Sequence, residues 1–419
     1  MSLNQTVSGV AIVPSAQKRA FLSESKRRTL VKGCALIAAL ALGATLTSCT
    51  IEKNGDDQSV NSAAETSAMP MPPVASVTDG ETDVNPDTPV TVKAVDGTLT
   101  DVQMTNENGK VIESSIAPDG KSWKTDEVLG YSRTYTIVAK TSTGEELNTT
   151  FQTVAPSALA EAYLSPIPDS TVGVGQVVSI TFSTSIPDRE AAEKAITIKT
   201  EPHVDGAFFW LNDRVLRWRP KDFWTPGTKV DVDVKMHGTK LGDGVWGDDD
   251  NKTNFTIGDS VIAYADDNTK TLTITKDGQE IQTMPISMGR DKYATPNGTY
   301  VIGDRYPDLV MDSSTYGLAT TAPDGYRTNV KYATQMSWSG IYVHAAPWSV
   351  WAQGSQNTSH GCLNVSTANA EWFFNNTKRG DVVVVKNTVG GTLNGYDGLG
   401  DWNIPWETWS KGNANREDQ

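Results

Sequence analysis

The sequence predicts a mostly β protein: two immunoglobulin-like β-sandwiches, then a β-rich third domain with one main helix and a C-terminal tail packed back on a neighbour. Three observations carry this. Short runs rich in Val, Ile, Thr and aromatic residues alternate with Asn-Gly and Asp-Gly turn signals through two successive stretches. Those stretches close on similar segments, Asn148-Thr149-Thr150-Phe151-Gln152-Thr153-Val154 and Lys252-Thr253-Asn254-Phe255-Thr256-Ile257-Gly258. Beyond them a single segment has a convincing helical period.

Residues 1–48 read as an export signal. Lys18, Arg19, Lys26, Arg27, Arg28 and Lys32 make a basic region, and the apolar stretch from Cys34 to Leu46 is too short to span a bilayer. The segment ends in Leu46-Thr47-Ser48-Cys49, which is similar to the bacterial lipobox, where small residues precede a cysteine that becomes diacylated and then N-terminal. Cys49 is therefore the expected lipidation site, and two acyl chains hold a protein stably at a membrane surface where one does not. The rest of the chain is expected outside the cell. Residues 49–77, Ser-, Ala-, Pro- and Asp-rich with no hydrophobic period, read as a flexible tether.

The first sandwich is placed at 78–155, with strands around Val90–Ala94 and Tyr135–Ala139 and turns at Asn108-Gly109 and Asp119-Gly120. The second, at 156–258, has Val177–Phe182, Val215–Trp218 and Val230–Val234. Neither has the paired cysteines of antibody domains. The third domain, 259–387, opens with a hairpin, Thr271–Thr275 and Glu280–Met284, around Asp277-Gly278. Its helix runs from Thr367 to Thr377, capped by Ser366, with Ala370, Phe373, Phe374 and Thr377 inward. Val382–Val385 reads as a strand buried on both faces. In the tail, 388–419, Trp402, Trp406 and Trp409 are too closely spaced to be freely solvated, and a structural clamp is the expected role.

The chain has 36 basic and 50 acidic residues. Without residues 1–48, which hold six of the basic residues and Glu24, the formal charge is near −19. Phosphate binding rests on clustered Lys and Arg, so nucleic acid is not an expected partner.

Chemistry concentrates at Ser359-His360-Gly361-Cys362-Leu363-Asn364, which holds the one cysteine beyond Cys49. Three readings of it stay open on residue types alone. As a nucleophile, Cys362 needs a nearby imidazole to become a thiolate, and His360 and His344, at the end of the apolar run Ile341-Tyr342-Val343-His344, supply candidates. Gly361 admits close backbone approach, so the Gly361 and Cys362 amides are oxyanion-hole candidates. As a zinc site, His344, His360 and Cys362 would be three ligands, but two of them at i and i+2 are cramped and no Cys-x-x-Cys or His-x-x-x-His element supports them. As plain structure, Cys362 is a small buried hydrophobe. A weaker metal candidate, calcium at Asp243 and Gly244, lies in an acidic glycine-rich loop that lacks the regular ligand spacing.

His344 followed by Ser359-His360-Gly361-Cys362 and Asn364 resembles the signature of the L,D-transpeptidases with the YkuD-type catalytic domain. Met311-Asp312-Ser313-Ser314-Thr315-Tyr316-Gly317, Tyr326-Arg327-Thr328, Val343-His344-Ala345-Ala346-Pro347-Trp348 and Gly398-Leu399-Gly400-Asp401-Trp402-Asn403 look like the actinobacterial members. The resemblance implies a cysteine acyltransferase without cofactor that forms 3→3 cross-links between peptidoglycan stem peptides, from a tetrapeptide donor and a diaminopimelate acceptor, with release of D-Ala. It also implies inhibition by carbapenems; with the lipobox-like segment at Cys49, the expected position is lipid-anchored at the cell membrane, facing the wall. Carried over, Cys362 is the nucleophile and His344 the general base and acid, while Ser359, His360 and Gly361 shape the loop and oxyanion hole. Tyr326 and Met311 belong to a lid from about Asp308 to Tyr332. Ser339 and Gly340 contact the donor backbone, and Asn364 and Trp348 complete the pocket. Ala345 replaces a serine found in many relatives but keeps the carbonyl that orients the imidazole. The competing functions are an L,D-carboxypeptidase, with water as acceptor, and a non-catalytic wall-binding lipoprotein.

Overall fold

The structure is a computed structural model and describes residues 69–415. Cys49, the expected export segment and most of the tether lie outside the described residues. The chain enters the first sandwich before residue 78: Val74–Ala75 pairs antiparallel with Thr91–Lys93, and Val77 is buried.

In the first sandwich, a sheet of Val74–Ala75, Thr91–Lys93, Ser122–Thr125 and Ser114–Ile116 faces a sheet of Leu99–Asn106, Thr134–Thr141 and Glu146–Gln152. The strand Thr134–Thr141 buries every second residue, Tyr135, Ile137, Ala139 and Thr141, as a half-buried strand must. In the second sandwich, Gly206–Trp210, Val215–Pro220, Val178–Phe182 and Ala162–Ser165 face Ser170–Val172, Asn251–Ile257, Lys229–Val234 and Ile196–Glu201. This module also carries a short helix, Arg189–Lys194, that the sequence analysis does not anticipate; Asp188 caps it by accepting the Ala191 amide at 2.9 Å. The strand Val215–Pro220 is buried along its whole length. Leu216 and Trp218 enter the sandwich core, and the alternate residues Arg217 and Arg219 point to the later part of the chain.

The third domain stacks two sheets. One has the order Gln279–Pro285, Thr271–Lys276, Val261–Asp266, Val382–Lys386, Gly298–Val301; the other has Arg305–Asp312, Arg327–Gln335, Tyr342–Ala345, Leu363–Val365. The expected hairpin forms, with Asp277 and Gly278 at φ 51° and 81°, the positive values its two-residue turn requires. Val382–Lys386 is an interior strand: Val383 and Val385 face the catalytic core, while Val382 packs into the core of the second sandwich. The helix Thr367–Asn376 is capped by Ser366, whose hydroxyl accepts the Asn369 amide at 3.2 Å. Ala370 and Phe373 pack inward, and Phe374 is half-buried under Arg305.

The tail packs as expected on the second sandwich. Trp409 is fully buried, stacked on Phe209 at 4.9 Å, and its indole donates to the Ala207 carbonyl at 2.9 Å. The Arg219 guanidinium lies over the rings of Trp402, Trp406 and Trp409, at 4.5, 5.5 and 4.4 Å. Among the described residues no helix is long and apolar enough to cross a membrane.

Candidate active site

The site follows from the two-residue period of paired strands. Tyr342–Ala345 and Leu363–Val365 run parallel, with Val343 beside Leu363, His344 beside Asn364 and Ala345 beside Val365. Val343, Ala345, Leu363 and Val365 all pack into the catalytic core. The intervening residues therefore face the other way, and His344, Cys362 and Asn364 line one cavity of about 310 Å³. The lid contributes Met311, Tyr326, Thr328 and Val330, and the loops add Trp348, Thr358, Ser359 and His360.

His344 is buried, and its Nδ1 lies 3.0 Å from the Ala345 carbonyl. A carbonyl only accepts, so Nδ1 carries the proton and Nε2 keeps its lone pair. Burial lowers the imidazole to about 4 against the opposing pull of that hydrogen bond. Burial likewise pushes the Cys362 thiol up to about 11, partly offset by the Tyr342 amide. The thiol donates to the Gly340 carbonyl, Sγ to oxygen 3.7 Å. At neutral pH both groups are neutral, a thiol and an imidazole that line the same cavity, and Nε2 of the imidazole keeps a lone pair.

The loop before Cys362 is tied internally. The Ser359 hydroxyl donates to the Cys362 carbonyl at 2.6 Å and accepts the Gly361 amide at 3.0 Å, and Thr295 donates to the Gly361 carbonyl at 2.8 Å. The Gly361 amide, an oxyanion-hole candidate from sequence, is thus engaged by Ser359 in this state. Gly361 has φ 122°, which glycine tolerates. The His360 ring is directed to the lid: Nε2 accepts from Arg290 at 3.1 Å and the ring bonds the Asp324 backbone. The Asp324 carboxylate in turn binds Lys292 and Arg290, each at 2.6 Å, and the Tyr293 hydroxyl at 3.1 Å. The expected lid is an antiparallel hairpin, Arg305–Asp312 with Arg327–Gln335, whose tip is pinned at Asp324.

Asn364 is fixed from behind. Ser349 donates its proton to the Ala346 carbonyl at 3.3 Å, so its oxygen accepts from Asn364 Nδ2 at 3.1 Å, which leaves the buried Oδ1 without a protein partner. Trp348 is half-exposed beside His344, ring centroids 6.1 Å apart. Ser339 and Gly340 do not line the cavity: Gly340 meets the thiol through its carbonyl, while the Ser339 amide donates to Asp397. Sequence reasoning misses Arg290, Ser349 and Asp324, which have no motif; only the Asp324-Gly325 pair carries a turn signal. Asp243 and Gly244 belong to an inter-strand turn whose Gly244 carbonyl accepts from Ser157. Among the described residues no group of three His, Cys, Asp or Glu side chains is placed to hold a metal, at that loop or at Cys362.

Two families match the chain: a bacterial Ig domain over residues 81–240 and an L,D-transpeptidase catalytic domain over 260–385. The chain is 56% identical over 344 residues to L,D-transpeptidase 2 of Mycobacterium tuberculosis, covering 81% of this chain and 84% of that one. The chain belongs to the L,D-transpeptidases. It is also 33% identical to L,D-transpeptidase 5 of the same species, over 79% of this chain and 74% of the other. A solved structure of an LD transpeptidase, LdtMt1, in complex with imipenem is 36% identical over 54% of this chain and all of that one, with a TM-score of 0.49. As an L,D-transpeptidase, the protein is an enzyme whose Ig-like part precedes a YkuD-type catalytic domain.

Proposed function

We propose that this L,D-transpeptidase forms 3→3 cross-links in peptidoglycan through a thioester on Cys362. The observation that supports this most is the His344 tautomer: with Nδ1–H held by Ala345, Nε2 is a free base lining the same cavity as the Cys362 thiol. In the acylation half, Sγ attacks the carbonyl between meso-diaminopimelate and the terminal D-Ala of a donor tetrapeptide. The thiol proton passes to His344 Nε2 and then to the departing D-Ala nitrogen. In the second half, the side-chain amine of an acceptor diaminopimelate attacks the thioester carbonyl, loses a proton to His344, and the proton returns to Sγ. Burial of Cys362 and His344 keeps bulk water scarce at the thioester, which favours the amine. The same thiol is proposed to open the strained lactam of a carbapenem. Cys49 is proposed as the lipid anchor that places the domain outside the membrane, facing the wall.

Incubation of the full chain with tetrapeptide donor and diaminopimelate-bearing acceptor stems tests the reading by mass. Cross-linked dimer plus free D-Ala is the expected product. D-Ala release with tripeptide alone would make the protein an L,D-carboxypeptidase, and no release would leave a wall-binding lipoprotein.

A further inference from the structure

The turn that brings Gly340 to the thiol is held from outside the catalytic sheets. Between the strands Arg327–Gln335 and Tyr342–Ala345 the chain reverses through residues 336–341. Inside the turn, the buried Ser337 hydroxyl oxygen accepts the Ile341 amide at 2.8 Å, and the Gly340 amide reaches the Ser337 carbonyl at 3.4 Å. The two amides at the exposed tip, Trp338 and Ser339, go to a single carboxylate. Trp338 donates to Asp397 Oδ1 at 2.7 Å and Ser339 to Oδ2 at 3.0 Å.

Asp397 comes from the tail. It ends the 3₁₀ turn Gly395–Asp397, in which the Asn394 side chain accepts the Tyr396 amide at 2.9 Å. Gly398 follows with φ 99°, and a Cβ there would stand 2.4 Å from the Trp338 ring, so tail and turn touch with no room for a side chain. Two successive amides on the two oxygens of one carboxylate fix both the place and the rotation of the peptide planes, and charge-assisted bonds of this kind are the strong ones. The next carbonyl but one is that of Gly340, which accepts the Cys362 thiol. Gly340 has φ 95°, and the Tyr316 ring occupies the place a side chain would take.

We propose that Asp397 is a positioning residue for the reaction. It holds the 336–341 turn so that the Gly340 carbonyl orients the thiol and the Ser339–Gly340 backbone stands ready for the donor stem. It touches neither thiol nor substrate, and its role rests on the Cys362 acylation proposed above. The tail, a clamp by its tryptophans, thereby also reaches the chemistry.

The test compares the full chain with Asp397→Asn, Asp397→Ala and Asp397→Glu in reaction with a carbapenem, reading the saturating acylation rate and the half-saturating concentration separately. Iodoacetamide alkylation of Cys362 and the thermal midpoint are followed in parallel. Asp397→Asn, which sets an NH₂ against one of the amides, is expected to slow saturating acylation roughly tenfold and Asp397→Ala more, with Asp397→Glu recovering part of the rate. The half-saturating concentration and the alkylation rate should stay within about twofold. Unchanged acylation in all variants overturns the proposal. So does loss of acylation in step with alkylation and thermal midpoint, which would make Asp397 merely structural. A wild-type chain that takes up no acyl group overturns the functional reading, and this proposal with it.

Discussion

His344 and Cys362 rest as a neutral pair because burial opposes both charges: the imidazole falls to about 4 and the thiol rises to about 11. In the proposed acylation, proton transfer then accompanies attack rather than preceding it. One consequence concerns the free enzyme, where iodoacetamide alkylation of Cys362 should rise about tenfold per pH unit from pH 6 to 9; a rate already level at pH 7 would mean a preformed thiolate. A second concerns stability. The folded imidazole lies below its unfolded value of 6.5, so the unfolded chain binds the extra proton between about pH 4 and 6.5, and folding gains stability as pH rises through that window. Buried Asp381, raised to about 6 by burial, slopes the other way, but it cancels when wild type is compared with His344→Gln. The difference in unfolding free energy between the two should grow by about 3 kcal/mol from pH 4 to 6.5, read by denaturant titration; a constant difference would contradict it. At this scale the residues proposed to react are legible in sequence, since acyl transfer restricts their types and puts them in a short motif. Ser349, Arg290 and Asp397 are not, because each acts through hydrogen bonds that no local pattern in the chain announces.

Among the elements, the lid hairpin carries the clearest expectation. Its tip is tied down by Asp324, whose carboxyl Lys292, then Tyr293 and Arg290, hold down to about 2, so the tie stays charged at any pH the protein meets. Asp324→Asn keeps the size and removes the charge. Amide hydrogen exchange over residues 313–326 should speed up several-fold in that variant, while exchange in the helix Thr367–Asn376 stays unchanged. Equal exchange in both proteins would show that the lid is held by its apolar contacts instead. The hairpin around Asp277-Gly278 and the capped helix are readable because their signals are local. The helix Arg189–Lys194 is too short to show a period. Val215–Pro220 forms the expected strand, but the burial of Arg217 and Arg219 has no local signal, because it comes from Trp338 and the Gly398–Trp409 region, which arrive much later in the chain.

Across the whole molecule, the second sandwich and the catalytic domain form one packed body. Val382 of the catalytic sheet lies in the sandwich core, and a Cβ on Gly173 would stand 2.2 Å from the Asp381 amide. Arg217 reaches the Gly398 carbonyl at 3.1 Å and the Asp401 carboxylate at 4.0 Å, and Arg219, lowered to about 10 by burial, reaches the Ile404 carbonyl at 2.8 Å inside the tryptophan cage. Removing the fully buried Trp409 indole should therefore destabilise this body by about 3–5 kcal/mol. By calorimetry, Trp409→Ala should shift the sandwich and the catalytic domain together; a tail that detaches with no change in the main transition would show that the clamp is not part of the cooperative unit.

Whether Cys362 is an acyl-accepting thiol is decided by intact mass after incubation with a carbapenem. A single adduct of one carbapenem is expected on the wild-type chain and none on a folded Cys362→Ala variant; an unmodified wild type, or equal labelling of the two, would overturn the thioester reading.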